Sequence, residues 1–475
     1  MLALLLFGLS SGATAFWGDS ASFASHLDTT PKPFARSYWL YKMLGRLFVT
    51  LGASPALAAA SASAVFGAAA VALLHALTQR ITGQVEAATL AAASLAVAQT
   101  FWLHSSVAEV YSLLALLEIG LLFLALGAPV HRQEALGLGL LAGLALNHHR
   151  LLLFSFPVLA AFLWLAVPPN RRLDLCRSVG IGLLLGGLPW IVLCFRFPPS
   201  SLVATESLSQ QSLWFQKVLL GGRWSSAHLG ADPGAGMTAS VGYLAKLLAL
   251  NFPSPAALLA GVGLITLRAT SLSRRVLLGG LLVAFTLAGS LFGWTGDQYA
   301  FFSPLLPLVA LLAGLGLASR LGKAKRSFPA LMIAASLATP PFFYAVLSFG
   351  PTAPDSATRA ALLERQEFAW PPKAGYSFPE DWARKRLEAL PPRATLVAQW
   401  AEGTIFEYLQ SEGLRTDVTL QLHRSGPLDL AALKAPVFVT WKPTRPSPPE
   451  AFKRQGLQLE GQAPGFRGLV LPDSP

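Results

Sequence analysis

Three acidic side chains stand directly beside predicted apolar helices, where a carboxylate can do chemistry at a membrane surface. Asp19 follows the first apolar run, Glu109 precedes the fourth and Asp297 precedes the tenth. A carboxylate in such a position can act as a general acid or base, or can bind a cation. The alternative is a solvated helix-end charge, which suits Glu109 because an acid stabilises a helix N-terminus. Position alone leaves both interpretations open.

Basic and polar groups accompany these acids. The stretch Asn147-His148-His149-Arg150 places four polar side chains at one helix end. Adjacent histidines point in different directions on a helix, which disfavours a metal site; phosphate or sugar hydrogen bonding competes here with a plain solvated helix end. A second cluster suits either an interfacial helix over residues 36–50 or binding of a lipid-linked phosphate. Its members include Arg36, Tyr38, Trp39, Tyr41, Lys42 and Arg46.

Composition defines the environment of these groups. The 475 residues are 53% hydrophobic and 13% charged, whereas about a quarter of the residues in a soluble domain are charged. Residues 1–350 contain 21 Lys and Arg against 10 Asp and Glu, and residues 351–475 contain 15 against 14. The first part therefore carries 11 of the 12 excess positive charges. This distribution indicates membrane topology rather than nucleic acid binding.

Apolar runs predict a mostly helical, polytopic membrane bundle of about eleven spans. If the first run leaves the cytoplasm, the short inner loops hold twelve Lys and Arg, and the short outer connections hold only Arg150. This asymmetry predicts outer loops at 18–52 and 196–253 and an extracytoplasmic C-terminus. The expected location is the bacterial cytoplasmic membrane. The runs lie near residues 2–17, 53–77, 85–103, 110–128, 134–147, 151–167, 179–195, 254–267, 276–294, 301–318 and 327–349.

The first run has two interpretations. Ala13-Thr14-Ala15 is similar to the small-residue cleavage site of a signal peptide. The run lacks a basic segment before it, however, and this favours a retained helix that holds the following polar stretch against the membrane. Both interpretations place Gly18 on the outer side.

Residues 351–475 change character, because prolines, charges and short alternating runs replace the apolar blocks. Residues 394–399 and 435–441 are predicted to form strands, and residues 402–411 a short helix between turn signals. The sequence thus predicts a transmembrane domain over 1–350 and a small soluble extracytoplasmic α/β domain over 351–475.

Several blocks resemble one multi-span family. The best single block is Thr100-Phe101-Trp102 leading into Val107-Ala108-Glu109-Val110-Tyr111-Ser112-Leu113. Others are Gly18-Asp19-Ser20, Leu44-Gly45-Arg46-Leu47-Phe48, Asn147-His148-His149 before Pro157, Asp297-Gln298-Tyr299, and the tail segment 406–418. Together they resemble the plexin-type protein O-mannosyltransferases and their uncharacterised bacterial relatives, within the GT-C superfamily.

The resemblance implies a glycosyltransferase that moves a sugar, such as mannose, from a polyprenyl-phosphate donor to an acceptor hydroxyl on the extracytoplasmic side. Asp19 would be the general base and Glu109 would orient acceptor or donor. The expected partners are membrane lipid, the lipid-linked donor and a protein or glycan acceptor, with no required cofactor and no nucleic acid.

We expect Asp19 and Glu109 within about 10 Å of each other, beside cations that offset the phosphate charge. Candidates for the phosphate are Arg36, Arg46, His148 and Arg150; Asn147, Asp297 and Tyr299 are further pocket candidates.

Two other classes of protein stay open. Members of the family usually have a second acid shortly after Gly-Asp-Ser, where this chain has Ala21 and Ser22. A non-catalytic membrane scaffold of the same fold would tolerate that change. Glu118 lies at membrane depth, which suits either a protonated packing residue or a transporter. Transporters usually place broken helices symmetrically in two halves, and the sequence has no such symmetry.

Overall fold

The structure, a computed structural model, describes residues 1–27, 38–127, 131–196, 233–291, 298–321, 327–349, 367–423, 436–440, 459–463 and 466–469. These residues form a mostly helical membrane region and a small α/β unit. Two candidate site residues, Arg36 and Asp297, lie outside the described residues.

The described membrane region consists of α-helices and, within the described residues, three 3-10 turns: Arg150–Ser155, Pro169–Arg171 and Leu267–Ala269. The described α-helices are α1 (Leu2–Ser10), α2 (Asp19–Leu27), α3 (Trp39–Thr50), α4 (Pro55–Thr82), α5 (Val85–Ala96), α6 (Gln99–Ser106), α7 (Tyr111–Leu126), α8 (Arg132–His148), α9 (Phe156–Ala166), α10 (Arg172–Arg196), α11 (Pro233–Asn251), α12 (Pro255–Thr266), α13 (Leu272–Leu291), α14 (Gln298–Phe301), α15 (Leu305–Leu321) and α16 (Ser327–Phe349).

Length and composition identify fewer spans than the sequence pattern predicts. Within the described ranges, helices α4, α13 and α16 are long and apolar enough to cross a membrane. Helices α6 and α7 form a fourth candidate, bent by 119° at the residues between them. The remaining apolar helices are shorter, including α5, α12 and α15. The count of about eleven spans therefore stays a prediction.

The first apolar run differs from its prediction. It is helical only over Leu2–Ser10, nine residues, which span about 14 Å of the roughly 30 Å hydrocarbon core. The hydroxyls of Ser10 and Ser11 donate to the carbonyl oxygens one turn back, at 2.6 and 2.8 Å, where the helix ends. The next residues bond to distant segments instead: Gly12 N donates to Ser106 O at 2.9 Å.

The two long loops of the prediction contain helices. Residues 36–50 were predicted as an interfacial helix, and α3 covers most of that stretch. Helix α11 likewise lies inside the predicted outer loop 196–253, so the described part of that stretch is helical, and its position outside the membrane stays a prediction. Two glycines near its start dilute the apolar pattern, although its second half is rich in alanine and leucine, which are strong helix formers.

Glycines set the closest helix contacts of the membrane region. A Cβ built at Gly139 of α8 would lie 2.1 Å from the Val179 carbonyl oxygen of α10. One built at Gly316 of α15 would lie 1.9 Å from the Leu259 carbonyl oxygen of α12. Only a residue without a side chain lets backbones approach this closely, as is common between membrane helices. We call these two contacts the glycine seams.

The described residues of the C-terminal unit include a five-stranded sheet and two helices that pack with it. Its elements are α17 (Phe378–Ala389), β1 (Thr395–Gln399), α18 (Trp400–Ser411), β2 (Thr419–His423), β3 (Val437–Thr440), β4 (Leu459–Ala463) and β5 (Phe466–Leu469). The strand order is β2-β1-β3-β5-β4; β1 pairs in parallel with β2 and β3, whereas β5 is antiparallel to β3 and β4. The predicted strands over 394–399 and 435–441 and the helix over 402–411 are present as β1, β3 and α18.

The first loop packs into this C-terminal unit. The Trp17 and Trp382 rings lie 5.3 Å apart, and Ala21 and Ala24 share a buried cluster with Phe406 of α18. Residues after 366 return to the membrane region, where Lys373 N donates to Ser10 O at 2.7 Å. The stretch between α1 and α2 is therefore fixed by contacts from both parts of the chain.

Candidate functional site

Asp19 is placed by a glycine turn. Gly18 has φ +65°, a left-handed conformation that glycine adopts without steric cost. Its N–H donates to Ala401 O at 2.9 Å, and a Cβ at this position would contact the Trp400 ring at 3.6 Å. The chain then enters α2 with Asp19 in the first helical turn, where the helix dipole favours a negative charge.

Glu109 lies in the bend between α6 and α7, and its backbone is held by two helices of the bundle. Glu109 N donates to the Ser63 hydroxyl of α4 at 3.1 Å, and that hydroxyl lies 3.0 Å from Glu109 O. The buried Tyr41 hydroxyl of α3 lies 2.8 Å from Ser63 Oγ and 2.7 Å from Ala59 O. This chain of hydrogen bonds fixes the height and direction of the bend.

Tyr38 is where the candidate charges meet. Burial raises the pKa of Tyr38 well above its usual value, and the negative charges of Asp19 and Glu109 raise it further, whereas the Arg150 charge acts in the opposite sense. All three charges are therefore within electrostatic range of one phenol. Tyr38 itself has φ +58°, an uncommon conformation for a side chain of this size and one that concentrates at functional sites.

Lys42 adds a second cation to this group. Burial lowers the pKa of Lys42 to about 8, and the charge of Asp19 works against that shift. The Lys42 ammonium also lies 5.6 Å from the centroid of the Phe23 ring. We call Asp19, Tyr38, Lys42, Glu109 and Arg150 the Tyr38 site.

Both histidines of the Asn147–Arg150 stretch contact this site. The Tyr38 ring lies 6.1 Å from the His148 ring and 5.5 Å from the His149 ring, centroid to centroid. His148 Nε2 lies 2.8 Å from the carbonyl oxygen of Val110, next to Glu109. Leu151 N donates to His149 Nδ1 at 3.2 Å. The short polar stretch at the end of α8 thus forms one side of the Tyr38 site.

The other candidate residues occupy different positions. Asn147 Nδ2 donates to the carbonyl oxygens of Gly143 and Gly186 at 2.9 and 2.6 Å, so this side chain joins α8 to α10. Arg46 Nε donates to Leu27 O at 3.0 Å, at the last residue of α2. Tyr299 stacks with His104 at 5.6 Å.

Sequence reasoning did not assign roles to Lys42, Ser63, His104 or Tyr111. Lys42 lay in the basic and aromatic cluster of the first loop, and its position one turn after Tyr38 was the available signal. Ser63 carried no sequence signal, because small hydroxyl residues are common on membrane helices that pack together.

An apolar groove opens beside the 3-10 turn that begins at Arg150. It has a volume of about 710 Å³. One wall comes from the turn and the start of α9, and the other from α13. Its lining residues are Phe154, Pro157, Val158, Gly279, Gly280, Val283, Ala284, Leu287 and Leu291.

The described part of the chain contains no group of three or more His, Cys, Asp or Glu residues placed to hold a metal ion. The carboxylates and cations of the Tyr38 site can take part in proton transfer and can stabilise a negative charge that develops on a leaving group.

A family model matches part of the chain, in agreement with the resemblance seen in the sequence, and solved structures share its fold. More particularly, residues 35–171 match the family model "Protein O-mannosyl-transferase TMEM260 N-terminal domain". That range includes Glu109, His148 and Arg150 but not Asp19 or Tyr299.

Solved structures give the same fold. The crystal structure of ArnT from Cupriavidus metallidurans bound to undecaprenyl phosphate superposes with a TM-score of 0.60 at 14% identity, covering 98% of this chain and 96% of that chain. The apo structure of the same enzyme gives a TM-score of 0.53 at 14% identity, with the same coverage of 98% and 96%. No curated protein sequence matches the chain.

Proposed function

We propose that the chain transfers a sugar, such as mannose, from a polyprenyl-phosphate donor to a hydroxyl group of a protein or glycan. The convergence of Asp19, Glu109 and Arg150 on Tyr38, with Lys42 in electrostatic range of Asp19, carries this proposal. A sugar transfer from a phosphate needs a base for the acceptor and positive charge for the departing phosphate. The Tyr38 site supplies both.

The apolar groove supports a lipid-linked donor. Phe154, which lines the groove, follows Arg150 by four residues of 3-10 helix, a rise of about 8 Å. A polyprenyl chain in the groove would thus place its phosphate near Arg150, whose guanidinium suits phosphate recognition. The similar ArnT structure contains undecaprenyl phosphate, a donor-type lipid of the class that we propose here.

The proposed step is a single displacement. Asp19 accepts the proton of the acceptor hydroxyl as the oxygen attacks the anomeric carbon. The bond from that carbon to the bridging phosphate oxygen breaks, and its electron pair leaves with the polyprenyl phosphate. Arg150 and Lys42 offset the developing charge, while Glu109 orients the reacting hydroxyl. Cationic side chains of the chain itself stabilise the leaving group, so the reaction as proposed needs no cofactor.

The last part of the proposal is the side of the membrane on which the Tyr38 site lies. Trp17 of the first loop packs on Trp382 of the C-terminal unit, so the Tyr38 site and that unit share one side of the membrane. The positive-inside asymmetry favours the extracytoplasmic side of a bacterial cytoplasmic membrane. We therefore assign 1–350 to a transmembrane domain of about eleven spans and 351–475 to an extracytoplasmic domain.

The test is transfer by purified full-length protein in sealed proteoliposomes. Radiolabelled polyprenyl-phosphate sugars are offered as donors with a panel of peptide and glycan acceptors. We expect label to move from the organic phase to an acceptor. We also expect transfer to occur on the side of the membrane where added protease cuts the C-terminal unit. Retention of label in every donor, while a known transferase works in the same preparation, would refute the proposal.

A further inference from the structure

Three aromatic rings from separate elements form a stack next to the Tyr38 site. His104 of α6 lies between Tyr111 of α7, at 4.6 Å and 24°, and Tyr299 of α14, at 5.6 Å and 27°. The stack continues through Tyr111 to His149 at 5.5 Å, and His149 contacts Tyr38. We call His104, Tyr111, Tyr299 and His149 the imidazole stack.

The histidines here bury polar atoms that have no partner among the described residues. His104 Nδ1, His148 Nδ1 and His149 Nε2 are all buried and form no hydrogen bond within that part of the chain. The side chains are 2%, 2% and 7% exposed. A buried polar atom left unsatisfied loses the hydrogen bonds that it would make with water and is therefore destabilising. Three such atoms in one place indicate a ligand that hydrogen-bonds to them.

The hydrogen bonds that do exist define what the histidines offer. His148 Nε2 faces the Val110 carbonyl oxygen, so it carries the proton and leaves Nδ1 as an acceptor. His149 Nδ1 accepts from Leu151 N, so Nε2 carries the proton and is a donor. The two adjacent histidines, whose ring centroids lie 6.4 Å apart, thus offer one acceptor and one donor, which suits hydroxyl groups because these both donate and accept.

The rings of the stack lack a formal charge that could select an ionic ligand. Two members are tyrosines, and the contacts of the histidines are with aromatic rings and backbone groups. Burying a charged imidazolium without a carboxylate partner would be costly. The cations Arg150 and Lys42 belong to the Tyr38 site instead.

Given the proposed function, we infer that the imidazole stack is the subsite for the sugar of the donor, and that it takes an uncharged ring bearing several hydroxyls. His149 directly precedes Arg150 in the chain. A sugar joined to a phosphate through one oxygen must occupy the space next to the residue that holds the phosphate. The rings of the imidazole stack and their hydrogen-bonding atoms line that space.

The test separates sugar binding from phosphate binding. Full-length protein in nanodiscs is titrated with polyprenyl phosphate, with polyprenyl-phosphate hexose, and with a polyprenyl phosphate that carries an amino sugar. The wild type should bind the hexose form more tightly than the sugar-free lipid. His104→Phe, which keeps an aromatic ring but removes the ring nitrogens, should reduce that preference about three- to tenfold. Its affinity for the sugar-free lipid should not change.

Further variants control for folding and position. His104→Asn restores a hydrogen-bonding group and should recover part of the preference. Tyr299→Leu should reduce the preference, whereas Tyr299→Phe should retain it. His131→Phe, at the opposite end of α8, should leave it unchanged.

Four outcomes would overturn the inference. An unchanged hexose preference in both His104→Phe and Tyr299→Leu would place the sugar elsewhere. An equal loss of affinity for the hexose-bearing lipid and the sugar-free lipid would assign the stack to phosphate binding or folding. An equal gain in affinity when the lipid carries the charged amino sugar would contradict selection for an uncharged ring. Wild-type protein that binds none of the three lipids would refute the proposed function itself, and the inference with it.

Discussion

The membrane region buries two different kinds of contact: the glycine seams and the Tyr38 site. In the seams, backbones touch and no side chain intervenes, because the four helices carry glycine at the crossing points. In the Tyr38 site and the histidines that contact it, half-buried charges and buried imidazoles lie together, at a cost that packing must offset elsewhere. The difference indicates that the seams provide stability so that the Tyr38 site can retain costly polar groups for chemistry.

The largest effect on stability should come from a methyl group in a seam. Gly316→Ala would place Cβ 1.9 Å from a backbone oxygen, so the helices must separate, at a cost of about 1–3 kcal/mol or more. Gly261→Ala, on α12 with open space at that position, should stabilise the protein by about 0.5–1 kcal/mol through helix propensity. Thermal unfolding in detergent measures both. Equal melting temperatures would contradict the role of the seams.

A second pair of variants separates stability from activity. Tyr41→Phe removes the hydroxyl that contacts Ser63 and Ala59, and Tyr344→Phe removes one that donates to Val97 O at 3.0 Å. Each should cost about 1–3 kcal/mol of unfolding free energy, since a buried partner loses its hydrogen bond. Only Tyr41→Phe should also slow transfer, because Ser63 positions the backbone of Glu109. Matching transfer rates for the two variants would show that this chain of hydrogen bonds does not reach the site.

The pH dependence tests the cations of the site. Burial lowers the pKa of Lys42 to about 8, so the ammonium loses its proton, and the site a positive charge, as pH rises through that value. Transfer should fall by about tenfold above this pH, the loss expected for one charge-assisted hydrogen bond. Lys42→Arg should remove the decline, because arginine stays protonated. Lys385→Met, on the exposed side of α17, should leave the profile unchanged.

The sequence predicted the residues at helix ends better than those held by tertiary structure. Asp19, Glu109 and Arg150 flank apolar runs, and the distribution of basic residues placed their helix ends on one side. Tyr299 and His149 of the imidazole stack lay in candidate segments, but the stacking of the four rings had no such signal. It depends on the 119° bend between α6 and α7, and residues 107–110 contain neither proline nor glycine to mark that bend. Rings seven residues apart can stack only because the chain turns there.

The boundaries of the helices and strands show the same contrast between local pattern and tertiary contacts. The apolar composition of residues 2–17 predicted one helix, but Ser10, Ser11 and a hydrogen bond from Gly12 to Ser106 end it early. The alternating residues of β1 and β3 were recognisable because both strands lie buried in the sheet. Local pattern thus predicted buried, regular elements, whereas long-range contacts decided where α1 ends and α6 bends.

The most direct test of the catalytic assignment is the transfer rate of Asp19→Asn. This substitution keeps the shape of the side chain and removes the base, so the rate should fall about 10²- to 10⁴-fold. The matched control is Asp174→Asn, which removes an exposed ion pair with Arg132 at 3.0 Å and should change neither rate nor stability by much. Donor binding measured in parallel should be retained in both variants. A wild-type transfer rate in Asp19→Asn would contradict the assignment of Asp19 as the base and favour a scaffold or a different catalytic group.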